Sequence, residues 1–286
     1  MSDLCSAVKQ AQSDLSAVHS MVRTVPSGLA NITTYLNIQR MWLGKAKLHE
    51  DLAKTAKLFV CRGSALKYME NLRDNASKLG SKPISETILY GTAEMPIFAA
   101  RLLSIDSYLA STWSVYDRLS NVLGRLMGDA KVVDINVTAQ NPKLVEDLMG
   151  QVKGCYQGFG TSELLSKLYG EPISSSYFLR NSFMHDGGMM GNVPILSGSS
   201  AAACFELSKE NAEKMNSAVA KRLGVSGSGL FMFKDGDFID QLKMCHDELD
   251  KMFVSLLGFV VGSFCAQVSL FCGKIGISSS ANAELG

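Results

Sequence analysis

Proline is scarce in this chain, with 6 in 286 residues. A turn-rich β protein needs more, and so few helix breakers leave long stretches free to be helical. Charge is also low, at 19% against 47% hydrophobic residues, and the net charge is +1. That balance excludes a disordered chain and supplies a sizeable core. It provides no overall field that would select one class of partner. Histidine is rare, and the four present (19, 49, 185, 246) are far apart. The seven cysteines (5, 61, 155, 204, 245, 265, 272) include no Cys-x-x-Cys. Neither set has the spacing of a zinc site. Scattered cysteines in odd number read as free thiols in a reducing compartment, so a cytoplasmic location is expected. Near the N-terminus Asp3 comes early, and no basic region precedes an apolar one, so no secretory signal is expected. The glycine-rich run 224–229 lacks the Lys-Ser/Thr of a P-loop and reads as a loop.

What is present is helical patterning. Residues 2–24 are helix-compatible up to the Pro26-Ser27-Gly28 stop. A helix is predicted over about 38–60. With Met41 at zero and about 100° per residue, Leu48, Leu52 and Phe59 fall within about 20°, while Lys47, Lys54 and Lys57 fall about 160–240° away. Ten Lys/Arg against four acids between residues 40 and 82 make this the basic part of the chain. Lys47, Lys54 and Lys57 are therefore candidates to contact an RNA backbone, the alternative being a solvated helix face. Gly80-Ser81-Lys82-Pro83 is the best linker candidate.

Phe98, Leu102, Ile105, Leu109, Trp113, Tyr116, Leu119, Leu123 and Leu126 then step by three and four, predicting a helix over 96–127. Asp106 and Asp117 share one side of it, at the border of the stripe. They are candidate supporting acids that would orient an arginine or imidazole, or else ordinary boundary acids paired with a cation. A short strand or extended connection at 132–137 and short helices at 142–149 and 161–170 follow. A further helix opens at Pro172 and closes at Gly187. The stretch 188–236 reads as a Gly/Ser-rich insertion with a helix capped by Ser208. Candidate short strands lie at Phe205 and 230–233, and the mobile, low-charge character would suit a lid. Residues 252–272 carry no charge and are long enough to span a bilayer. A bundle helix buried on all sides would have the same composition. A small polar tail from 277 is expected to be disordered.

The chemistry concentrates in Arg180-Asn181-Ser182-Phe183-Met184-His185, followed by Gly187, Gly188 and Gly191. Histidine moves protons near neutral pH. A guanidinium holds a phosphate in two-point contact and stabilises its developing charge. Together they have the chemistry to cleave RNA without a metal. On a helix Asn181 and His185 share a face, whereas Arg180 and His185 differ by about 140°. One copy does not present both head-on, but two copies across a two-fold axis could converge on one cleft.

The Arg-Asn-x-x-x-His pattern, near a helix end and followed by glycine, resembles the signature of HEPN domains. The resemblance covers those six residues, with a looser match in helical pattern over about 91–276. It implies an all-α bundle with the motif at a dimer interface, and a metal-independent ribonuclease with Arg180, Asn181 and His185 as its site. It implies no cofactor and no metal. The partners it implies are RNA, a second copy of the chain and, in the toxin and defence systems to which it points, an antitoxin or regulatory protein.

The expected fold is thus mostly α: an N-terminal helical region over 1–90, possessing the basic face, and a HEPN-like bundle over 91–276 built on helices 96–127, 173–186 and 237–274. The expected function is an endoribonuclease working through 2′-hydroxyl attack. A catalytically inactive dimer that binds RNA, nucleotide or protein is the first alternative. A membrane-anchored helical protein, in which the motif is accidental, is the second.

Overall fold

The apolar stripes become helices, and the one expected over 38–60 is much longer, spanning Ile32–Lys78. The structure is a computed structural model that describes residues 2–23, 32–126, 171–190, 192–223 and 232–274. Among them the chain is mostly α, with six helices and three two-stranded ladders. Helix α1 spans Ser2–Arg23, α2 Ile32–Lys78 and α3 Ile97–Leu126. Helix α2 runs well past residue 60, because Arg62, Ala65, Met69, Leu72 and Ala76 extend its buried side by threes and fours. The stretch 80–83 is tied down: Gly80 O accepts from Ala202 N (3.0 Å) and Lys82 O from Ala201 N (2.7 Å).

Between α2 and α3 lies a hairpin absent from the sequence reading, β1 (Thr87–Tyr90) against β2 (Ala93–Pro96). Tyr90 pairs with Ala93, leaving a two-residue turn that opens on Gly91 at φ +63°. A glycine with positive φ in the first turn position suits the right-handed twist of the strands. Pro96 ends this strand and α3 begins one residue later.

The elements expected at 132–137, 142–149 and 161–170, and the tail from 277, lie outside the described residues. Helix α4 spans Glu171–Met184, α5 Lys209–Leu223 and α6 Phe238–Lys274. Strands β3 (Met189–Met190) and β4 (Val193–Pro194) pair with each other. Strand β5 (Glu206–Leu207) pairs with β6 (Gly236–Asp237) across α5. The strand partner is thus 236–237; of the stretch expected at 230–233, residues 230 and 231 lie outside the described set and 232–233 form no strand.

Two core clusters hold these elements, and each draws on residues from both sides of position 90. One gathers α1, the middle of α2, the second half of α3, the start of α4 and the middle of α6. Tyr116 and Phe253 stack there with ring centroids 5.0 Å apart and planes 10° from parallel. The other joins the end of α2 and the first half of α3 to Leu179 and Phe183 of α4 and to residues between 195 and 242.

Two expectations are corrected. The described part of the Gly/Ser-rich region, over 188–190, 192–223 and 232–236, is not a loose lid. Ile195, Leu196, Phe205 and Leu207 are buried, and the buried Asn211 amide donates to Pro194 O and Ile195 O, both at 3.0 Å. A low-charge segment packs when its few apolar residues find a core and one amide satisfies its carbonyls. Second, the apolar C-terminal helix is not buried on all sides. Phe253, Leu256, Leu257, Val260 and Val261 face the core, while Gly258, Gly262 and Leu270 are exposed. A side chain at Gly258 or Gly262 would meet nothing within 4 Å, so these glycines mark no close backbone approach among the described residues. The stretch Phe238–Leu270 remains long and apolar enough to cross a membrane, with 35% of its most apolar window buried.

Candidate functional site

The site is built on α4, and α4 is fixed by a buried polar cluster. Arg62 of α2 is 1% exposed and donates through Nη1 to both carboxylate oxygens of Asp250 on α6, at 2.8 and 3.0 Å. Tyr116 of α3 donates to Asp250 Oδ1 at 2.9 Å. One turn before Asp250 on α6, His246 has its Nδ1 3.0 Å from Tyr108 Oη and its Nε2 3.2 Å from Ser176 Oγ of α4. Both hydroxyls can donate or accept, so either ring tautomer is satisfied. The Arg62 guanidinium also lies over the rings of Tyr108 and Tyr116, at 5.8 and 5.7 Å.

Burial opposes the Arg62 charge, but Tyr116, Tyr108 and Asp250 more than offset it and raise its pKa. His246 is pushed the other way, first by burial and then by Arg62, so its pKa falls well below the ordinary value and the ring is neutral. The side chains of this cluster, Arg62, Tyr108, Tyr116, Ser176, His246 and Asp250, are all buried, with Asp250 at the edge of a cavity between α1 and α6. The cluster's role is to lock four helices in one rotational setting.

Ser176 lies one turn before Arg180 and within about 40° of it around α4. The cluster therefore turns Arg180 toward α3. Arg180 is half-buried, its guanidinium carbon 5.9 Å from the centroid of the Trp113 ring. Trp113 itself packs against Tyr177, with ring centroids 5.2 Å apart. Arg180 Nη1 donates to Asn181 Oδ1 at 3.0 Å. The amide of the motif thus holds the guanidinium of its own chain, and among the described residues Arg180 has no carboxylate partner. His185 is exposed in the turn after the helix, its amide donating to Asn181 O at 2.9 Å.

The chain then turns sharply at Gly187 (φ +61°) and Gly188 (φ +77°). Gly188 is required twice over. Its backbone is left-handed, and a Cβ there would sit 3.0 Å from Phe183 Cε1 and 3.2 Å from Leu102 Cδ2. That turn brings the end of the motif against α3.

The other candidates are placed as follows. Asp106 is half-buried on α3, its Oδ1 is buried without a hydrogen-bond partner, and burial raises its pKa. Asp117 is half-buried on the same helix, and its backbone carbonyl accepts from the Asn121 amide at 2.9 Å. Lys54 is ion-paired with Glu50, Lys57 is exposed, and the side chain of Lys47 lies outside the described ones. Several other basic residues of the 40–82 stretch are engaged as well: Arg62 with Asp250, Arg73 with Asp237 and Asp240, and Lys82 with Glu86.

The buried cluster is what sequence reasoning missed. A signal existed: Arg62 falls about 60° from the centre of the apolar stripe of α2. His246 and Asp250, at i and i+4, share a face of α6, with the apolar Leu249 and Phe253 beside them. Compared with protein-family models, curated proteins and solved structures, the chain matches none.

Proposed function

We propose that this chain is an endoribonuclease of the HEPN type, working as a homodimer in a reducing, aqueous compartment. The observation that carries this reading is the state of Arg180. The guanidinium of Arg180, five residues before the exposed His185, is positioned by Trp113 and Asn181, yet among the described residues it has no carboxylate to neutralise it. Such a charge is suited to an anion from outside the chain, and a phosphate fits its planar fork.

In the proposed reaction His185 takes the proton from a ribose 2′-hydroxyl. The 2′-oxygen attacks the adjacent phosphorus, the bond to the 5′-oxygen breaks, and that oxygen leaves with a proton. The products are a 2′,3′-cyclic phosphate and a 5′-hydroxyl. Arg180 stabilises the charge that builds on the phosphoryl oxygens. Arg180 and His185 project about 140° apart on one helix. A second copy, bringing its own motif to the same cleft, supplies the complementary group. Asp106, with its unpartnered oxygen on α3, is the supporting acid this reading favours.

The test is cleavage of single-stranded RNA by the purified full chain, with the new ends identified. His185→Ala and Arg180→Ala are each expected to lower the rate by about 10²-fold or more, with the double variant little worse than either. Chelators should leave the rate unchanged. Cleavage that survives in His185→Ala, or stops on addition of EDTA alone, overturns this mechanism. RNA binding without cleavage in the wild type would assign the chain to the inactive binding dimers.

A further inference from the structure

A cavity of about 410 Å³ opens between α4 and α5 beside the motif, lined by Phe178, Ser182, Asp186, Met189, Met190 and Lys214. Its size falls within the range of small-ligand pockets, about 300–1,000 Å³. Two rows of side chains form its walls. Phe178 and Ser182 are four apart on α4, and Lys214 lies on α5. At about 100° per residue, His185 falls about 20° from Phe178 and about 60° from Ser182, whereas Arg180 falls on the opposite side of α4. His185 does not line the cavity, but it lies on the cavity's side of the chain by this angle, and the lining residue Asp186 follows it directly.

The lining is a built site. Ser182 lines this cavity and is 4% exposed as a residue; its hydroxyl makes no hydrogen bond among the described residues and is not sealed off from solvent. A hydroxyl open on a cavity wall is free to exchange its water for a ligand group. The exposed Asp186 carboxylate also has no partner among the described side chains. Among the described residues Lys214 is held by Glu210 on its own helix alone, through an exposed pair that is easily diverted. Phe178 and the two methionines supply apolar and aromatic surface, which suits a flat heteroaromatic ring.

We propose that this cavity, through the open Ser182 hydroxyl and Asp186 carboxylate beside its Phe178–Met189 wall, is a nucleobase subsite selective for guanine. The inference rests on the RNA reading of the motif. RNA bases that leave the stack are recognised by stacking on aromatic side chains and by hydrogen bonds to their Watson–Crick edges. Guanine is the base whose edge carries two adjacent donors, N1–H and the N2 amino group, and a carboxylate can accept both. Its O6 acceptor is then met by the Ser182 hydroxyl or the Lys214 ammonium. Uracil has a single donor between two acceptors. Cytosine and adenine turn a ring-nitrogen acceptor toward a carboxylate, which repels it.

The experiment is calorimetric titration of the full chain with guanosine, adenosine, cytidine and uridine 5′-monophosphates, none of which the proposed reaction can cleave. The guanosine nucleotide is expected to bind about tenfold or more tighter than the other three, as one bidentate base contact gives. Asp186→Asn should erase that preference, because one acceptor becomes a donor. Ser182→Ala should weaken guanosine binding several-fold and leave the other three unchanged. Equal affinity for the four nucleotides, or a preference that survives Asp186→Asn, overturns the subsite. The two readings fail separately. Selective binding by a chain that cuts no RNA keeps the subsite and removes the nuclease. Cleavage with no nucleotide preference in binding keeps the nuclease and removes the subsite.

Discussion

Removing the Asp250 carboxylate is expected to be among the most damaging single changes in this protein. Asp250 receives two hydrogen bonds from Arg62 and one from Tyr116, at 2.8 to 3.0 Å, and Arg62 and Asp250 are 1% and 4% exposed. In Asp250→Ala the guanidinium stays buried and charged, because an arginine does not deprotonate to escape. Breaking one side of a buried ion pair costs about 3–5 kcal/mol. Cavity formation adds little, since the lost group is small, but the Tyr116 hydroxyl also loses its acceptor, a further cost of about 1 kcal/mol. Against a total stability of about 5–15 kcal/mol, the loss is about a quarter or more. In urea, with a slope of about 2–3 kcal/mol per molar, the midpoint should fall by about 1.3–3 M.

The companion variant decides what kind of loss it is. Arg62→Met combined with Asp250→Leu removes both charges and refills the space, and should recover most of the stability. Arg62 and Asp250 come from α2 and α6, while His246 carries the contact on to Ser176 and α4. RNA cleavage by Asp250→Ala should therefore fall further than its folded fraction alone explains. A midpoint within about 0.3 M of wild type for Asp250→Ala, or a double variant as unstable as the two singles added together, would refute the buried-pair reasoning.

Two further outcomes follow from other parts of the molecule. His246 is neutral in the folded state with its pKa well below 6.5, so the unfolded chain binds the extra proton. The stability this ring contributes is whole above pH 6.5 and falls as pH drops below it, by about 1.4 kcal/mol per pH unit until the folded pKa is reached. Urea midpoints measured from pH 7.5 to 5 should show that slope in the wild type and lose it in His246→Gln. An identical slope in both would assign the acid sensitivity elsewhere. On α6, Gly258→Ala and Gly262→Ala meet no atom within 4 Å, and each should raise stability by about 0.5–1 kcal/mol through helix propensity alone. A loss of stability in either would mean that something packs on that face.

The helices and the motif were legible in the sequence because they depend on local periodicity. Nine apolar residues stepping by threes and fours fix α3, and Ser208 and Gly187 mark helix ends whatever the rest of the chain does. The hairpin at 87–96 was also locally encoded, in Thr87-Ile88-Leu89-Tyr90 before Gly91, and was passed over because a four-residue strand gives too short a period to stand out. The chemistry of Arg180 and His185, and the angle between them, needed only residue types and helical geometry. Which charges are spent inside the fold was settled by tertiary structure alone. Arg62 and Asp250 are 188 residues apart; each sits near an apolar stripe, but nothing local says that the two pair. Their pairing exists only because α2 and α6 cross where both side chains are cut off from water, and a buried charge must find its opposite there. The same holds for Ser182. In sequence it is a filler between Asn181 and Phe183, and it became a candidate contact only when α5 closed over α4 and left its hydroxyl on the wall of a cavity.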